Sequence, residues 1–411
     1  MPKKLDLDRL RRVLRVGRKV PRPLLALPIE LIDAISALLE PSDLCSLRLT
    51  CKFLYRTTVR HFGRTCCQRI ETDLSFSNLQ RLTLIAQHQQ LRHHVHHISF
   101  YTEYHIDRAF FGRGFSWNRD PSGHLNFPQR SVQQLKDILT LLVNCSSFHI
   151  SGVHICEDTI QPDLLGPSDV VTIILHIVAD TGLSVTYFSV DFKQPNGGGT
   201  CAMDARRLYM PDFQKAGFTT AWSHLQELSL REGVEPGTDD IVSELALNAP
   251  NLRKLAINFD RGQATESVIH RLSSADSLPQ LQHLDLQCAS LERADQLLLF
   301  LRRFRHSLRN LYLESISFRV GKLRTVLATL SSDFTSLESV WLLLIRDSGG
   351  LIHFPALLSN PFANGSDGRR FIYGIKKRLC QGDRVIWVSY RGPNMDVALR
   401  TLAKHAEPLR F

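Results

Sequence analysis

The second half of the chain repeats one short pattern of large apolar residues at nearly constant spacing. Each copy reads LxxLxL, and successive copies begin 27, 29, 27 and 29 residues apart. The five copies are Leu225-Leu228-Leu230, Leu252-Leu255-Ile257, Leu281-Leu284-Leu286, Leu308-Leu311-Leu313 and Leu337-Val340-Leu342. Alternation places the last two apolar residues of each copy on one face of a β-strand, and helix-like stretches separate the copies. Stacked strand–helix units would bury these residues in one continuous core, so the pattern predicts an α/β solenoid.

The period lies within the range of leucine-rich repeats, but one position departs from their usual pattern. Three residues after the last strand leucine, such repeats carry Asn or Cys, whose side chains satisfy backbone groups of the turn. This chain has Gly233, Asp260, Ala289, Ile316 and Ile345 at those positions. We therefore interpret residues 221–350 as a degenerate leucine-rich-repeat array. We expect an irregular first half of the same repeat-like domain at 63–220 and a C-terminal cap at 351–411.

The stretch from Leu27 to Tyr55 is a second constraint because it is unusually rich in apolar residues. Pro28 suits the first turn of a helix. The apolar residues that follow it at helical spacing are Leu31, Ile32, Ile35, Leu38 and Leu39. Pro41 and Ser42 predict the end of this helix and a second helix from Asp43 capped by Ser42, with a third short helix behind it. Three short helices cannot enclose so many large apolar side chains, so the surplus predicts contact with the rest of the chain or with another protein.

The order and spacing of these residues resemble an F-box of the fungal type. The resemblance covers residues 24–62 and depends on Leu27-Pro28-x-Glu30-Leu31-Ile32, Asp43-Leu44 and Cys51-Lys52-Phe53, with Phe53 where many members have tryptophan. It implies a small three-helix domain that binds the Skp-family linker of an SCF-type ubiquitin ligase and, through it, a cullin scaffold. The residues expected to contact the linker are Leu27, Pro28, Leu31, Ile32, Ile35, Leu44 and Leu47. The alternative from the residues alone is an ordinary buried helical hairpin.

The resemblance also implies that the remainder of the chain presents a protein substrate. If the LxxLxL copies form strands, the residues between the leucines point to the concave face of the sheet. Aromatic side chains are favoured anchors of protein contacts. The candidate substrate-binding residues are Lys254, His283, Asp285, Tyr312 and Trp341. Charges of both signs on this face do not predict a phosphate-binding surface. The alternative is that C-terminal structure covers the aromatic pair.

The net charge of +10 is concentrated at the start of the chain. Residues 1–22 hold nine Lys or Arg against two Asp, so they account for +7 of it. We expect residues 1–23 to be a disordered basic leader, with a nuclear import signal as the alternative. No apolar run reaches the ~20 residues that span a bilayer. The nine cysteines form no disulfide pattern, which favours the cytoplasm or the nucleus.

The sequence carries none of the common catalytic or nucleotide-binding motifs, including HExxH, GxSxG, GxGxxG and the P-loop. The histidines at 93, 94, 96 and 97 precede or enter a predicted strand, whose side chains alternate between faces, so they do not predict a metal site. We expect no cofactor, no membrane partner and no nucleic acid. The predicted function is a non-catalytic substrate-recognition adaptor of an SCF-type ligase. The alternative is a non-ligase repeat scaffold or a nucleic-acid-associated interaction protein.

Overall fold

A computed structural model describes residues 23–102, 110–153, 164–193, 203–234, 237–259, 264–355, 372–375 and 385–409. It divides into two compact units, Met1–Gln68 and Arg69–Phe411. Residues 1–22 of the expected leader, and Asp260 of the repeat pattern, lie outside the described residues. Among the helices that are described, none is both long and apolar enough to cross a membrane.

The first unit is helical. A 3-10 turn at Pro23–Ala26 leads into the helices Ile29–Ser36, Pro41–Thr50, Lys52–Thr57 and Val59–Cys66. The second helix begins at Pro41, two residues before the predicted start, and Ser42 does not cap it. The capping position is Glu40, which makes no side-chain cap hydrogen bond. Proline is favoured in a first helical turn because its missing N–H would have no helical acceptor there.

The second unit contains a large sheet, with eleven strands in the described part of the chain. Its strands, in spatial order, are β1 (Arg69–Thr72), β2 (His97–Tyr101), β3 (Ser147–Val153), β4 (Tyr187–Lys193), β5 (Glu227–Val234), β6 (Lys254–Phe259), β7 (His283–Gln287), β9 (Asn310–Glu314), β11 (Ser339–Leu343), β15 (Val385–Arg391) and β14 (Ile372–Ile375). The strands from β1 to β11 run parallel, and β15 and β14 are added antiparallel. The C-terminal strands therefore continue the sheet beyond β11.

Helices connect most of the parallel strands, as buried crossovers require. They are Phe76–Gln87, Arg130–Leu141, Pro167–Thr181, Ala216–Trp222, Asp239–Leu247, Ala264–Ser274, Ala294–Arg302 and Leu323–Asp333, with Met395–His405 after β15 and a 3-10 turn at Arg92–His94. One of the helix-like stretches between the copies, Leu291 to Phe304, becomes helical only from Ala294 because a short strand includes its first residues.

The five LxxLxL copies end on β5, β6, β7, β9 and β11, as predicted. Leu228, Leu255, Leu284, Leu311 and Val340 are register partners across these strands, and the residues two further along form a second row. Every apolar residue of the pattern is at most 4% exposed. These residues and the buried faces of the helices form the core.

Residues 63–220 are not the irregular segment that the sequence suggested. Strands β1 to β4 continue the same sheet, and Ile98, Phe148, Phe188 and Leu228 are register partners. These positions are 50, 40 and 40 residues apart in the sequence. The connections between these strands are longer than those of the second half, so the strands do not recur at the 27–29-residue period.

A second sheet was not predicted. It consists of β8 (Ser290–Arg293), β10 (Ser317–Val320), β12 (Arg346–Asp347), β13 (Gly350–His353) and β16 (Glu407–Pro408). Strands β8, β10 and β12 follow β7, β9 and β11 after two residues, the first of which is in the left-handed conformation. Those left-handed residues are Cys288, Ser315 and Leu344, with φ of 55°, 55° and 54°.

These turns explain how the backbone groups are satisfied without the Asn or Cys side chains that leucine-rich repeats carry at this position. The Cys288 N–H donates to the Glu314 carbonyl at 2.9 Å, and the Ser317 N–H donates to the Ala289 carbonyl at 2.8 Å. Backbone groups of one strand–helix repeat are thus hydrogen-bonded to the backbone of the next repeat. The ladder positions can therefore hold buried apolar residues: Ala289, Ile316 and Ile345 are at most 2% exposed.

Candidate protein-interaction surfaces

The helical unit has a small core of its own, built from the inward stripes of its helices. Ile32, Leu44 and Leu54 are 1%, 0% and 3% exposed. Ile32 and Leu44 were expected to contact the linker, but in this structure they hold the helices together instead. Spacing placed them on the correct helices, but spacing alone does not say which part of a wide apolar stripe faces inward.

Arg48 completes this core, and the sequence reasoning missed it. Its side chain is buried between two rings, with the guanidinium carbon 4.3 Å from the ring centre of Tyr55 and 4.2 Å from that of Phe62. Arg48 Nη1 donates to the Tyr55 carbonyl at 2.9 Å and to Thr58 Oγ1 at 3.4 Å. Burial lowers the pKa of Arg48 from its ordinary value. The available signal was its position, one helical turn after the buried Leu44.

A second set of apolar side chains in the same unit points to solvent. Leu31 and Ile35 on the first helix, and Leu38 two residues after its end, are 50%, 37% and 87% exposed. Pro28 is exposed, and Leu27 and Leu47 are half-buried. The exposed apolar surface, as we call it below, consists of Pro28, Ile29, Leu31, Ile35, Leu38, Leu49, Phe53 and Tyr55. Leu49, 86% exposed, was not among the predicted contacts.

Comparison with known families assigns this unit. Residues 24–61 match the family model of the F-box domain. The chain carries an F-box domain. F-box domains bind Skp-family linkers in SCF complexes, and F-box proteins are generally non-catalytic adaptors. No curated protein matches the chain. The F-box resemblance is thereby confirmed over almost the predicted range, while the leucine-rich-repeat interpretation of the second unit remains a prediction.

The face of the large sheet opposite the leucines, which we call the open face, carries the predicted substrate-binding residues. Lys254 and His283 are register partners in one row of this face. Asp285, Tyr312 and Trp341 are partners in another row, two residues further along the strands. The structure therefore brings the five residues together as two neighbouring groups.

Tyr312 and Trp341 belong to a stack of three rings. The ring centres of Tyr312 and Trp341 are 5.5 Å apart with planes at 16°, and those of Trp341 and Trp387 are 4.9 Å apart at 14°. Trp387 lies on β15, opposite Leu343 of β11. Trp387 belongs to the segment predicted as a C-terminal cap, and the sequence does not indicate the register of its strand, so sequence reasoning missed it. These three residues, the aromatic stack, are partly exposed and form a flat apolar surface.

Two carboxylates flank the aromatic stack. The Tyr312 hydroxyl donates to Glu314 Oε2 at 2.7 Å, and Gln287 Nε2 lies 3.1 and 3.2 Å from the two oxygens of Asp285. Burial raises the pKa of Asp285 above its ordinary value, and burial together with the bond to Glu314 raises the pKa of Tyr312. Arg231 Nη2 lies 3.7 Å from Asp285 Oδ2. This end of the open face thus combines aromatic area with negative charge.

Lys254 and His283 have a different environment. Lys254 Nζ lies 3.2 Å from Glu227 Oε2, and the Lys254 side chain is 45% exposed. Desolvation and the positive charge of Lys254 lower the pKa of His283. Within the described ranges, no group of three His, Cys, Asp or Glu side chains could hold a metal ion. The open face therefore combines aromatic rings, carboxylates and a lysine on neighbouring strands.

Proposed function

We propose that the chain is the substrate-recognition adaptor of an SCF-type cullin ubiquitin ligase. The F-box domain would bind a Skp-family linker and, through it, a cullin scaffold, and the open face of the sheet would bind a protein substrate. The adaptor itself performs no chemistry. It holds a substrate near the ligase-bound ubiquitin carrier and so raises the local concentration of the substrate.

The observation that carries the first half of the proposal is the exposed apolar surface. Leu31, Leu38 and Leu49 are half or more exposed in a domain whose helices already enclose a core of their own. Large apolar side chains gathered on a domain this small mark a protein-interaction site, because leaving them in water is unfavourable. The surface lies within the segment matched as an F-box domain.

The aromatic stack supports the second half. Trp and Tyr are the side chains most enriched among residues that dominate protein interfaces. Tyr312, Trp341 and Trp387 come from three adjacent strands, so the sheet fixes their positions before a partner binds. The predicted repeat array would thus supply a rigid recognition surface.

Co-elution of the purified full-length chain with a Skp-family linker in size-exclusion chromatography tests the proposal. We expect a stable complex, weakened by the double substitution Leu27→Ala and Pro28→Ala. The matched control is Leu84→Ala with Leu299→Ala, because these leucines are 69% and 58% exposed on helices of the second unit. Absence of a complex with the unmodified chain, or full binding by the Leu27/Pro28 variant, would instead favour a scaffold outside a ligase.

A further inference from the structure

We propose that the open face around the aromatic stack binds an arginine-bearing segment of the substrate protein, whose guanidinium takes the place beside Asp285 that Arg231 now holds. The inference rests on the proposed function, since it names the chemical class of substrate for the same face. Among the ligands that an aromatic protein surface could bind, the inference specifies a segment that carries arginine.

Charge complementarity is the first argument. Two carboxylates adjoin Tyr312 at this end of the open face: Asp285 is its register partner, and Glu314 accepts its hydroxyl hydrogen bond. Asp285 is bonded to the neutral amide of Gln287, and its side chain is only 18% exposed. Arg231, 3.7 Å from Asp285, is beyond the usual length of a charge-assisted hydrogen bond. A carboxylate this far from water is compensated only loosely, and a cation at bonding distance would compensate it better.

Arg231 itself shows that the place accepts a guanidinium. It lies on β5, and strand β6 separates it from Asp285 on β7. The β6 residue in register with Asp285 is Ala256, whose small side chain leaves room for Arg231 to reach across. The Arg231 side chain is 52% exposed, so its ion pair is weak and can open at little cost. Arg231 therefore acts as a placeholder that a substrate arginine can displace.

The aromatic stack favours arginine over lysine. A planar guanidinium can lie against an aromatic ring while it bonds to a carboxylate, whereas an ammonium group offers only a point charge. Tyr312 donates its hydroxyl to Glu314 on its own strand, and its register partner on the neighbouring strand is Asp285. Trp341 and Trp387 extend the flat surface over the next two strands, where the residues flanking the arginine would pack.

Selection from a displayed library of random linear dodecapeptides on immobilised full-length protein tests the inference. We expect arginine to be enriched about threefold or more over the starting library, and more strongly than lysine. The best peptide should bind about tenfold more weakly to the isosteric variant Asp285→Asn with Glu314→Gln, because charge-assisted bonds are lost. Arg231→Ala should strengthen binding several-fold, a gain that misfolding cannot produce.

The matched control is Glu292→Gln with Asp295→Asn, which removes two half-exposed carboxylates elsewhere in the same unit and should leave affinity unchanged. Selection of acidic, phosphate-mimicking or uncharged peptides would overturn the inference. So would arginine enrichment that survives in the Asp285/Glu314 variant, or weaker binding by Arg231→Ala. Self-association of the chain without peptide enrichment would assign the face to a second copy and also overturn it.

Linker co-elution, measured on the same preparations, separates this inference from the proposed function. Loss of linker binding with arginine selection intact would overturn the adaptor role alone. Linker binding without arginine selection would overturn the substrate class alone.

Discussion

Substitutions at Leu31 and Ile32 on one helix, and at Leu38 just after its end, separate linker binding from stability. Leu38 is 87% exposed, Leu31 is 50% exposed and Ile32 is 1% exposed. A leucine side chain that is exposed in the free domain and fully buried in the complex contributes about 2 kcal/mol more to the binding free energy than alanine does. A half-exposed leucine contributes about half as much. We therefore expect Leu38→Ala to weaken linker binding about thirtyfold and Leu31→Ala about fivefold. Neither should change the stability of the F-box domain by more than about 0.5 kcal/mol, because both side chains are at the surface.

Ile32→Val is the reciprocal change. It should lower the local stability of the F-box domain by about 1 kcal/mol and leave linker affinity within about twofold. Isothermal titration calorimetry measures the affinities, and hydrogen exchange with mass spectrometry over residues 29–66 measures local stability. Leu84→Ala and Leu299→Ala are the binding controls. Unchanged affinity in both Leu31→Ala and Leu38→Ala would refute the assignment of this surface, and an unchanged exchange rate in Ile32→Val would refute the assigned core.

Three further predictions concern stability. Arg48→Ala should destabilise the F-box helices by about 3 kcal/mol, seen as faster hydrogen exchange, because two hydrogen bonds and the packing of a buried side chain between two rings are lost; exchange at the original rate would contradict this. Asp169 is fully buried and accepts two hydrogen bonds of 2.8 Å from Arg119 and one of 3.1 Å from Arg207. Asp169→Asn should therefore lower the urea midpoint of the second unit by the equivalent of about 3–5 kcal/mol. An unshifted midpoint would argue against a stabilising role for the Asp169–Arg119–Arg207 cluster. Burial lowers the pKa of His97 to about 4, so between pH 6.5 and pH 4 the unfolded chain binds a proton that the folded chain does not. The free energy of unfolding therefore decreases as the pH is lowered through this range. His97→Gln should reduce this decrease, measured by urea titrations at pH 7 and pH 4.5, and an equal decrease in the variant would reject the prediction.

The strands of the second half could be predicted because each carries its own evidence. In LxxLxL the leucines alternate over a short distance, and that alternation fixes which face is buried whatever lies between the copies. The same apolar pair exists at Ile98 and Phe100, and both are fully buried. It could not be recognised as part of the series because the connections after it are much longer. The first-half strands have the same apolar alternation as the later ones, but they lack the regular spacing by which the later ones were recognised as a series.

The second sheet could not be predicted because it depends on backbone conformation. Cys288, Ser315 and Leu344 adopt positive φ, which ordinary side chains disfavour, and no glycine marks these positions. Ser290–Arg293 reads as the start of a helix because helical residues follow at once. The backbone bonds that hold these turns join residues from different units, so they leave no trace in local sequence.

In the F-box domain, sequence reasoning found the helices but divided their residues incorrectly. Ile32 and Leu31 are adjacent and equally apolar, yet one is buried and the other half exposed. Only the packing of the other helices decides between them. Arg48 escaped notice because a buried arginine is uncommon, and its two ring partners come from different helices. Trp387 escaped because register between antiparallel strands depends on the intervening chain.

The most direct measurement of the adaptor role is capture of the full-length chain by an immobilised complex of a Skp-family linker and its cullin. We expect saturable, one-to-one retention that the combined substitution Leu31→Ala and Leu38→Ala reduces on the order of a hundredfold, since the two losses come from separate side chains. No retention of the unmodified chain, or equal retention of the variant, would contradict the account.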